Sequence, residues 1–158
     1  GHGAPAPQQI DAAGLRVVVV AGLWHDVITD GLIAGAERVL EQSGADWRLV
    51  RVPGSFELPV AAKAALDAGA DAVVALGVII RGGTPHFEFV CSTAADGLSQ
   101  VALDTGSAIG FGLLTCDTEK QARDRAGLPG SSEDTGYEAA QAAMLTAMTL
   151  KKIRQRDI

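Results

Sequence analysis

The residues best suited to chemistry lie in one short turn, Arg81-Gly82-Gly83-Thr84-Pro85-His86. An apolar run typical of a buried strand precedes this turn, and a helical pattern follows it from His86 to about Thr105. Thr84 fits the N-cap of that helix, and Pro85 fits its first position. Glycines let the backbone approach a ligand closely, and a helix N-terminus offers free N–H groups and a positive dipole end. The turn therefore predicts a phosphate site beside an imidazole that can accept and donate a proton.

Two other turns carry side chains that are suited to binding. Trp24 follows the first predicted strand, where it is either a core-capping residue or a stacking plate for a planar heterocycle. Ser55 and Glu57 follow Pro53-Gly54 at the end of the second strand. They are either ordinary residues of a helix start or acceptors for ligand hydroxyl groups. His25 has no comparable context, and we interpret it as an ordinary surface residue.

Arg125 and Phe111 have structural explanations in a single chain. Arg125 ends a short predicted helix, where a cation is favoured by the helix dipole. A role as a phosphate clamp is the alternative, but the topology of one chain does not bring it near Thr84, whereas a neighbouring subunit could. Phe111 lies within the fourth predicted strand, and we expect it in the core.

Alternating strand and helix patterns position these residues. The predicted strands are 16–21, 47–52, 71–80 and 108–115. The predicted long helices are 26–43, 57–68, 86–105 and 134–154. A capping box of Thr118 and Gln121 predicts the start of a further, short helix, which stops near Gly127. This order predicts an α/β fold of three layers, α/β/α, with a four-stranded parallel sheet in the flavodoxin-like order 2-1-3-4. Ligands bind such sheets beyond the carboxyl ends of the strands, where the strand order reverses. The three turns should therefore converge.

Composition and charge exclude several classes of protein. The chain has 158 residues, enough for one domain with a sizeable core, and its net charge of −6 argues against a nucleic-acid partner. It has no apolar run of membrane-spanning length and no signal-peptide pattern. Cys91 and Cys116 fit no metal or redox spacing, so we expect buried, reduced thiols in a cytoplasmic protein. Residues 1–9 are predicted to form a mobile or extended arm, which begins with a cloning remnant, before a domain at 10–158.

The segments together resemble the lumazine synthases, the penultimate enzymes of riboflavin biosynthesis, over about residues 14 to 150. The motifs that carry the resemblance are Trp24-His25, VPGSFELP at 52–59, ALGVIIRGGTPHF at 75–87, GLLT at 112–115, TEKQA at 118–122 and DRAG at 124–127. A glycine-rich turn alone would be weak evidence, whereas this ordered set is highly specific.

The resemblance implies condensation of 5-amino-6-(D-ribitylamino)uracil with 3,4-dihydroxy-2-butanone 4-phosphate, giving 6,7-dimethyl-8-ribityllumazine, phosphate and water. It implies no metal or redox cofactor. It assigns proton transfer to His86, and it assigns substrate contacts to Trp24, Ser55, Phe56, Glu57, Val78, Ile79, Ile80, Gly83, Thr84, Phe111 and Arg125. Among these, Trp24 would stack on the pyrimidine, the segment 55–57 would hold the ribityl chain and its surroundings, and the segment 78–80 would offer mainly backbone contacts.

The resemblance also implies a homo-oligomer with the site between adjacent subunits of a pentamer. Phe111 and Arg125 would come from the neighbour, and Arg81 would then have a structural partner. Some family members assemble twelve pentamers into a sixty-subunit capsid. The loop from Gly127 to Asp134 is longer than is typical of capsid formers and contains Pro129, which favours an isolated pentamer.

One position departs from the family pattern. Family members usually carry Lys-Gly at the start of the last helix, where this chain has Thr135-Gly136. Because threonine cannot supply the charge of lysine, we expect a raised KM for the butanone phosphate. Two alternatives to the enzyme stay open: a catalytically weak flavin- or lumazine-binding homologue, and a shell-forming structural homologue. His86, Arg125 and Thr84 favour the enzyme over both.

Overall fold

A computed structural model describes residues 2–6 and 8–158 of the chain. The strands are β1 (Arg16–Gly22), β2 (Asp46–Val52), β3 (Ala72–Ile80) and β4 (Ala108–Cys116). The helices are α1 (Asp26–Ser43), α2 (Leu58–Asp67), α3 (His86–Thr105), α4 (Glu119–Asp124) and α5 (Thr135–Arg154), with a 3₁₀ turn at Ser55–Glu57. The strands form one parallel sheet in the order β2-β1-β3-β4. The predicted fold class and strand order are confirmed.

Helices cover both faces of the sheet. Alternate residues of a strand point to opposite faces, so the apolar run of β1 serves two cores. Val17 and Val19 pack in the core beneath α1 and α5, whereas Val20 packs in the core beneath α2 and α3. The start of α5 lies tight against α1, because a side chain on Gly136 would overlap the backbone of Leu32. This contact fixes where the final helix begins.

Most predicted boundaries agree with the structure to within one or two residues. The capping box of α4 is confirmed, because Thr118 Oγ1 accepts from Gln121 N at 3.2 Å and Gln121 Oε1 accepts from Thr118 N at 3.3 Å. The helix ends earlier than predicted, at Asp124. The predicted helix 57–68 opens as the 3₁₀ turn and becomes α-helical at Leu58.

The predicted N-cap of α3 is wrong by one residue. The carbonyl of Pro85, not that of Thr84, accepts the first helical hydrogen bonds, from Glu88 N at 3.0 Å and Phe89 N at 3.5 Å. Pro85 therefore occupies the cap position. The Thr84 hydroxyl still contacts the helix start, where it accepts from His86 N at 3.4 Å.

The N-terminal arm lies partly outside the described residues, because Gly1 and Pro7 are not among them. Residues 2–6 are exposed, whereas Ile10 is buried in the core beneath α1 and α5. Within the described part of the chain, no helix combines the length and the apolar character needed to cross a lipid bilayer.

Candidate active site

The turns that follow β1, β2 and β3 enclose one cavity of about 360 Å³, as the strand order requires. The predicted site residues that line it are Trp24, Ser55, Phe56, Glu57, Val78, Ile79, Ile80, Thr84 and His86. A cavity of this size is within the usual range for small-molecule sites. The convergence expected from topology is therefore present in the structure.

Trp24 forms an aromatic wall of this cavity. Its side chain is 68% exposed, so the interpretation of Trp24 as a core-capping residue is wrong. The indole lies against the backbone of Gly54, where a Cβ would come within 3.2 Å of its Cδ1 and Nε1 atoms. The indole of Trp24 thus contacts Gly54 with one edge while most of the side chain stays exposed. Such a ring is suited to stacking on a planar heterocycle.

Ser55 and Glu57 line the cavity, and neither side chain caps a helix, although Glu57 occupies the N-cap position of α2. The cap of the 3₁₀ turn is Gly54, and neither the turn nor α2 has a side-chain cap. Ser55 is buried, with Oγ packed over β3, since a Cβ on Gly77 would lie 2.6 Å from it. Glu57 is half-buried, so its carboxylate is available to accept hydrogen bonds from a ligand.

The glycine turn after β3 offers unused hydrogen-bond donors. Arg81 N donates to the carbonyl of Cys116 at 2.9 Å, which extends the pairing of β3 with β4. Within residues 2–6 and 8–158, no acceptor bonds the next three amides, those of Gly82, Gly83 and Thr84. A Cβ on either glycine would meet open space. Successive free amides next to the start of a helix form an anion-binding geometry.

Arg81 ties this turn to the link between β4 and α4. Its Nε donates to Asp117 Oδ1 at 2.7 Å, its Nη1 lies 3.5 Å from Glu88 Oε1, and its Cζ lies 4.5 Å from the centroid of the Phe87 ring. The pKa of Arg81 lies above its ordinary value, chiefly because of the hydrogen bond to Asp117. A guanidinium with these partners positions the turn.

The imidazole of His86 stands at the first residue of α3, exposed on the cavity wall. The thiols of Cys91 and Cys116 lie off this wall, and burial raises the pKa of both. They are therefore poor candidates for a nucleophile. An exposed imidazole on this wall can accept and donate protons, and the indole of Trp24 on the same cavity can stack on a planar ligand.

Three predicted site residues lie outside the cavity lining: Gly83, Phe111 and Arg125. The expectation that Phe111 lies in the core is wrong, because its side chain is 49% exposed. Phe111 points to the same face as Ile109 and Leu113, and β4 is the edge strand, which α2 and α3 cover incompletely there.

Arg125 lies just after α4 and lines a different surface cavity, together with Lys120 and Arg123. Its Nη1 donates to the carbonyl of Gln121 at 2.9 Å, and its Nε lies 3.5 Å from Glu133 Oε2. The carbonyl of Arg125 accepts from Thr135 N at 2.9 Å. The position that departs from the family pattern is therefore bonded directly to this arginine.

Five residues line the cavity without being predicted as site residues: His25, Gly54, Gly82, Phe87 and Val90. The sequence predicts an ordinary surface residue at His25, but the tight turn after β1 places His25 on the wall beside Trp24, with ring centroids 6.5 Å apart. Val90 follows His86 by one helical turn, so the spacing could have indicated it. Phe87 carried no distinct signal.

Comparisons with known proteins indicate one family. The family model described as 6,7-dimethyl-8-ribityllumazine synthase matches residues 14–151. A 6,7-dimethyl-8-ribityllumazine synthase of Leifsonia xyli subsp. xyli is 68% identical over 155 residues, which cover 98% of this chain and 98% of that protein. The enzymes of the same name from Clavibacter michiganensis subsp. michiganensis and Clavibacter sepedonicus are 66% and 65% identical, each over 156 residues covering 98% of both chains.

Proposed function

The chain belongs to the 6,7-dimethyl-8-ribityllumazine synthase family, and we propose that it condenses 5-amino-6-(D-ribitylamino)uracil with 3,4-dihydroxy-2-butanone 4-phosphate in riboflavin biosynthesis. The products are 6,7-dimethyl-8-ribityllumazine, phosphate and water. The observation that carries this proposal is the single cavity that joins Trp24, Glu57 and His86 to the free amides of the glycine turn.

The two substrates would occupy different parts of the cavity. The pyrimidine would stack on the open indole of Trp24 and lie against the end of β3, where Val78, Ile79 and Ile80 line the wall. The ribityl chain, with its many hydroxyl groups, would lie along the segment 55–57. The phosphate of the second substrate would bind at Gly83 and Thr84. Holding both substrates side by side accounts for much of the expected rate gain.

The proposed reaction begins when the 5-amino group attacks the ketone carbon and water leaves, which forms an imine. His86 would take the proton from the carbon between the imine and the phosphate-bearing carbon as phosphate departs. The imidazolium would return a proton during tautomerisation. Attack of the ribitylamino nitrogen on the remaining carbonyl, with loss of a second water, closes the ring. Proton transfers of this kind contribute about 10²–10⁴-fold to rates.

Arg125 would supply the fixed positive charge at the phosphate from a second copy of the chain. Free amides alone leave a phosphate dianion without a cation, and Arg81 contacts two carboxylates, those of Asp117 and Glu88, whereas Arg125 contacts that of Glu133. Phe111 is exposed and Arg125 is partly exposed on the β4 side of the molecule, where a neighbouring copy could use them. We infer a homo-oligomer in which each site combines the cavity of one copy with Arg125 and Phe111 of the next.

A direct assay tests the function. Both substrates are mixed with the protein while lumazine fluorescence and phosphate release are followed together. We expect both signals to rise in step, well above the slow spontaneous reaction. Absence of product above that background, with flavin binding intact, would show a binding homologue and contradict the proposal.

For the assembly, we propose a pentamer that does not build a capsid. The loop from Gly127 to Asp134 folds back on α4, since Ser131 Oγ donates to the carbonyl of Arg123 at 2.5 Å and Ser132 Oγ donates to Asp124 Oδ2 at 2.6 Å. We interpret this folded loop as an obstacle to the contacts between pentamers that a capsid shell needs. Light scattering should give the mass of five chains, whereas a megadalton particle would refute the pentamer.

A further inference from the structure

The turn that carries Trp24 has an uncommon backbone shape. His25, the next residue, has φ 52° and ψ 62°, in the left-handed region that residues with a Cβ avoid. Among the residues that the structure describes, Arg156 near the C-terminus is the only other non-glycine residue with positive φ. Such a conformation persists only where surrounding contacts hold it. The contacts that hold this turn therefore bear on the position of Trp24.

Thr29, in the first turn of α1, supplies two of these contacts. Its N–H donates to the carbonyl of His25 at 2.9 Å, and its Oγ1 donates to the carbonyl of Trp24 at 2.7 Å. The side chain is fully buried. A buried hydroxyl is costly unless it is hydrogen-bonded, and valine would fill the same space without that cost. The hydroxyl therefore serves the bond to Trp24 and not the packing of the core.

The indole of Trp24 has few other contacts that fix its direction. It is 68% exposed, lies against the backbone of Gly54 and sits at a tilt of 47° to the ring of His25. Its orientation therefore depends on the backbone of its own turn. We propose that Thr29 is a positioning residue, which holds the Trp24 ring where the pyrimidine substrate stacks. This inference rests on the function proposed above.

The experiment uses Trp24 as its own probe. The chain has two tryptophans, and Trp47, whose Nε1 donates to Glu41, lies outside the cavity. In a Trp47→Phe background, Thr29→Val should lower the fluorescence anisotropy of Trp24 in the substrate-free protein and raise its quenching by acrylamide. The KM for the ribitylaminouracil should rise about fivefold to tenfold, as expected for one lost hydrogen bond, with a smaller change in the KM for the butanone phosphate.

Two further variants separate positioning from general destabilisation. Thr29→Ser keeps the hydroxyl and should restore the parent anisotropy and KM. Ser43→Ala removes the other buried hydroxyl of α1, which donates to the carbonyl of Leu40 at 2.9 Å at the far end of the helix. It should lower stability without moving either Trp24 signal. If Thr29→Val yields no folded protein, Thr29→Ala is compared with Thr29→Ser in its place.

Several outcomes would overturn the proposal. One is a Thr29→Val protein with parent anisotropy, quenching and KM, and another is a Thr29→Ser protein that matches Thr29→Val. The fluorescence measurements need no turnover. An inactive parent protein would therefore count against the proposed function alone, and the anisotropy of its variants would still decide whether Thr29 positions Trp24.

Discussion

The cavity at the ends of β1, β2 and β3 and the segment from Glu119 to Thr135, here called the arginine segment, are held in place by different means. Sheet topology creates the cavity, because parallel strands end at one edge and the strand order reverses there. The arginine segment is held by its own short-range bonds, such as those from Ser131 to Arg123 and from Ser132 to Asp124. The cavity is built by residues of one chain, whereas the arginine segment presents Arg125 on a different surface. Under the proposed function, these two regions are the two parts of one site, which come from different copies of the chain.

The largest expected effects come from single substitutions of His86 in the cavity and of Arg125 in the arginine segment. His86→Ala should lower kcat by about 10²-fold or more, without abolishing turnover, because substrate positioning survives. Arg125→Ala should raise the KM for the butanone phosphate by roughly 10-fold to 100-fold, as expected for a lost charge-assisted hydrogen bond. Steady-state kinetics of each variant measures both effects.

Co-expression of these two variants tests whether the parts belong to different copies. If they assort at random, one interface in four joins an intact His86 to an intact Arg125, so about a quarter of the parent activity should return. As a control, Arg125→Ala is co-expressed with the double variant, a pair that contains no Arg125 and should show no recovery. A mixture of the single variants that is no more active than its components would mean that both residues act within one chain.

The next effect concerns how closely Ser55 and Leu113 pack over Gly77 of β3, beside the cavity. In Gly77→Ala the new Cβ would lie 2.6 Å from Ser55 Oγ and 3.0 Å from Leu113 Cδ1. Overpacking of this kind costs about 1–3 kcal/mol of unfolding free energy, and displacement of Ser55 should raise the KM for the ribitylaminouracil. Urea unfolding measures the first effect. Gly82→Ala, whose Cβ meets open space, is the stability control and should stay within about 0.5 kcal/mol of the parent. Equal stability of the two variants would contradict the tight packing.

A smaller effect is expected in the arginine segment at Thr135, which is bonded to Arg125 through its amide. Thr135→Lys should lower the KM for the butanone phosphate about twofold to fivefold, the size expected for an added exposed charge. Thr135→Met adds similar length without charge and should leave this KM unchanged. If Thr135→Lys also leaves it unchanged, the missing lysine has no bearing on phosphate affinity.

The same comparison explains what the sequence could predict. Trp24, Ser55 and His86 each follow a strongly patterned strand, so element order and the rule of strand ends were enough to bring them together. The apolar pattern of β4 did not predict the exposure of Phe111, because an edge strand has the same pattern as a central one until neighbouring helices are placed. The position of His25 depends on a left-handed turn held by Thr29, a contact across a helix start that residue types alone do not reveal. The residues left the role of Arg125 open, and the family resemblance assigned it to the site of a neighbouring copy.

The smallest expected effect is a local response to acid in the arginine segment. Asp124 accepts from Ser132 Oγ at 2.6 Å and from Ser132 N at 3.0 Å, and these bonds hold its pKa below the ordinary value. Because the folded pKa is the lower one, the unfolded chain binds more protons in the acid range. The stability from these bonds is therefore complete above the ordinary aspartate value, about 3.9, and is lost as the pH falls through the folded pKa.

An NMR titration of the Asp124 carboxyl measures this effect directly. Ser132→Ala removes the hydroxyl donor, so the pKa should rise towards the ordinary value, whereas Ser131→Ala removes the neighbouring hydroxyl without touching this carboxyl. An unchanged pKa in Ser132→Ala would mean that the bond does not persist in solution. Protonation of Asp124 should shift the amide signals of the loop between α4 and α5 and leave those of the Trp24 turn in place. This difference follows because the turn is held by backbone and hydroxyl contacts that do not titrate.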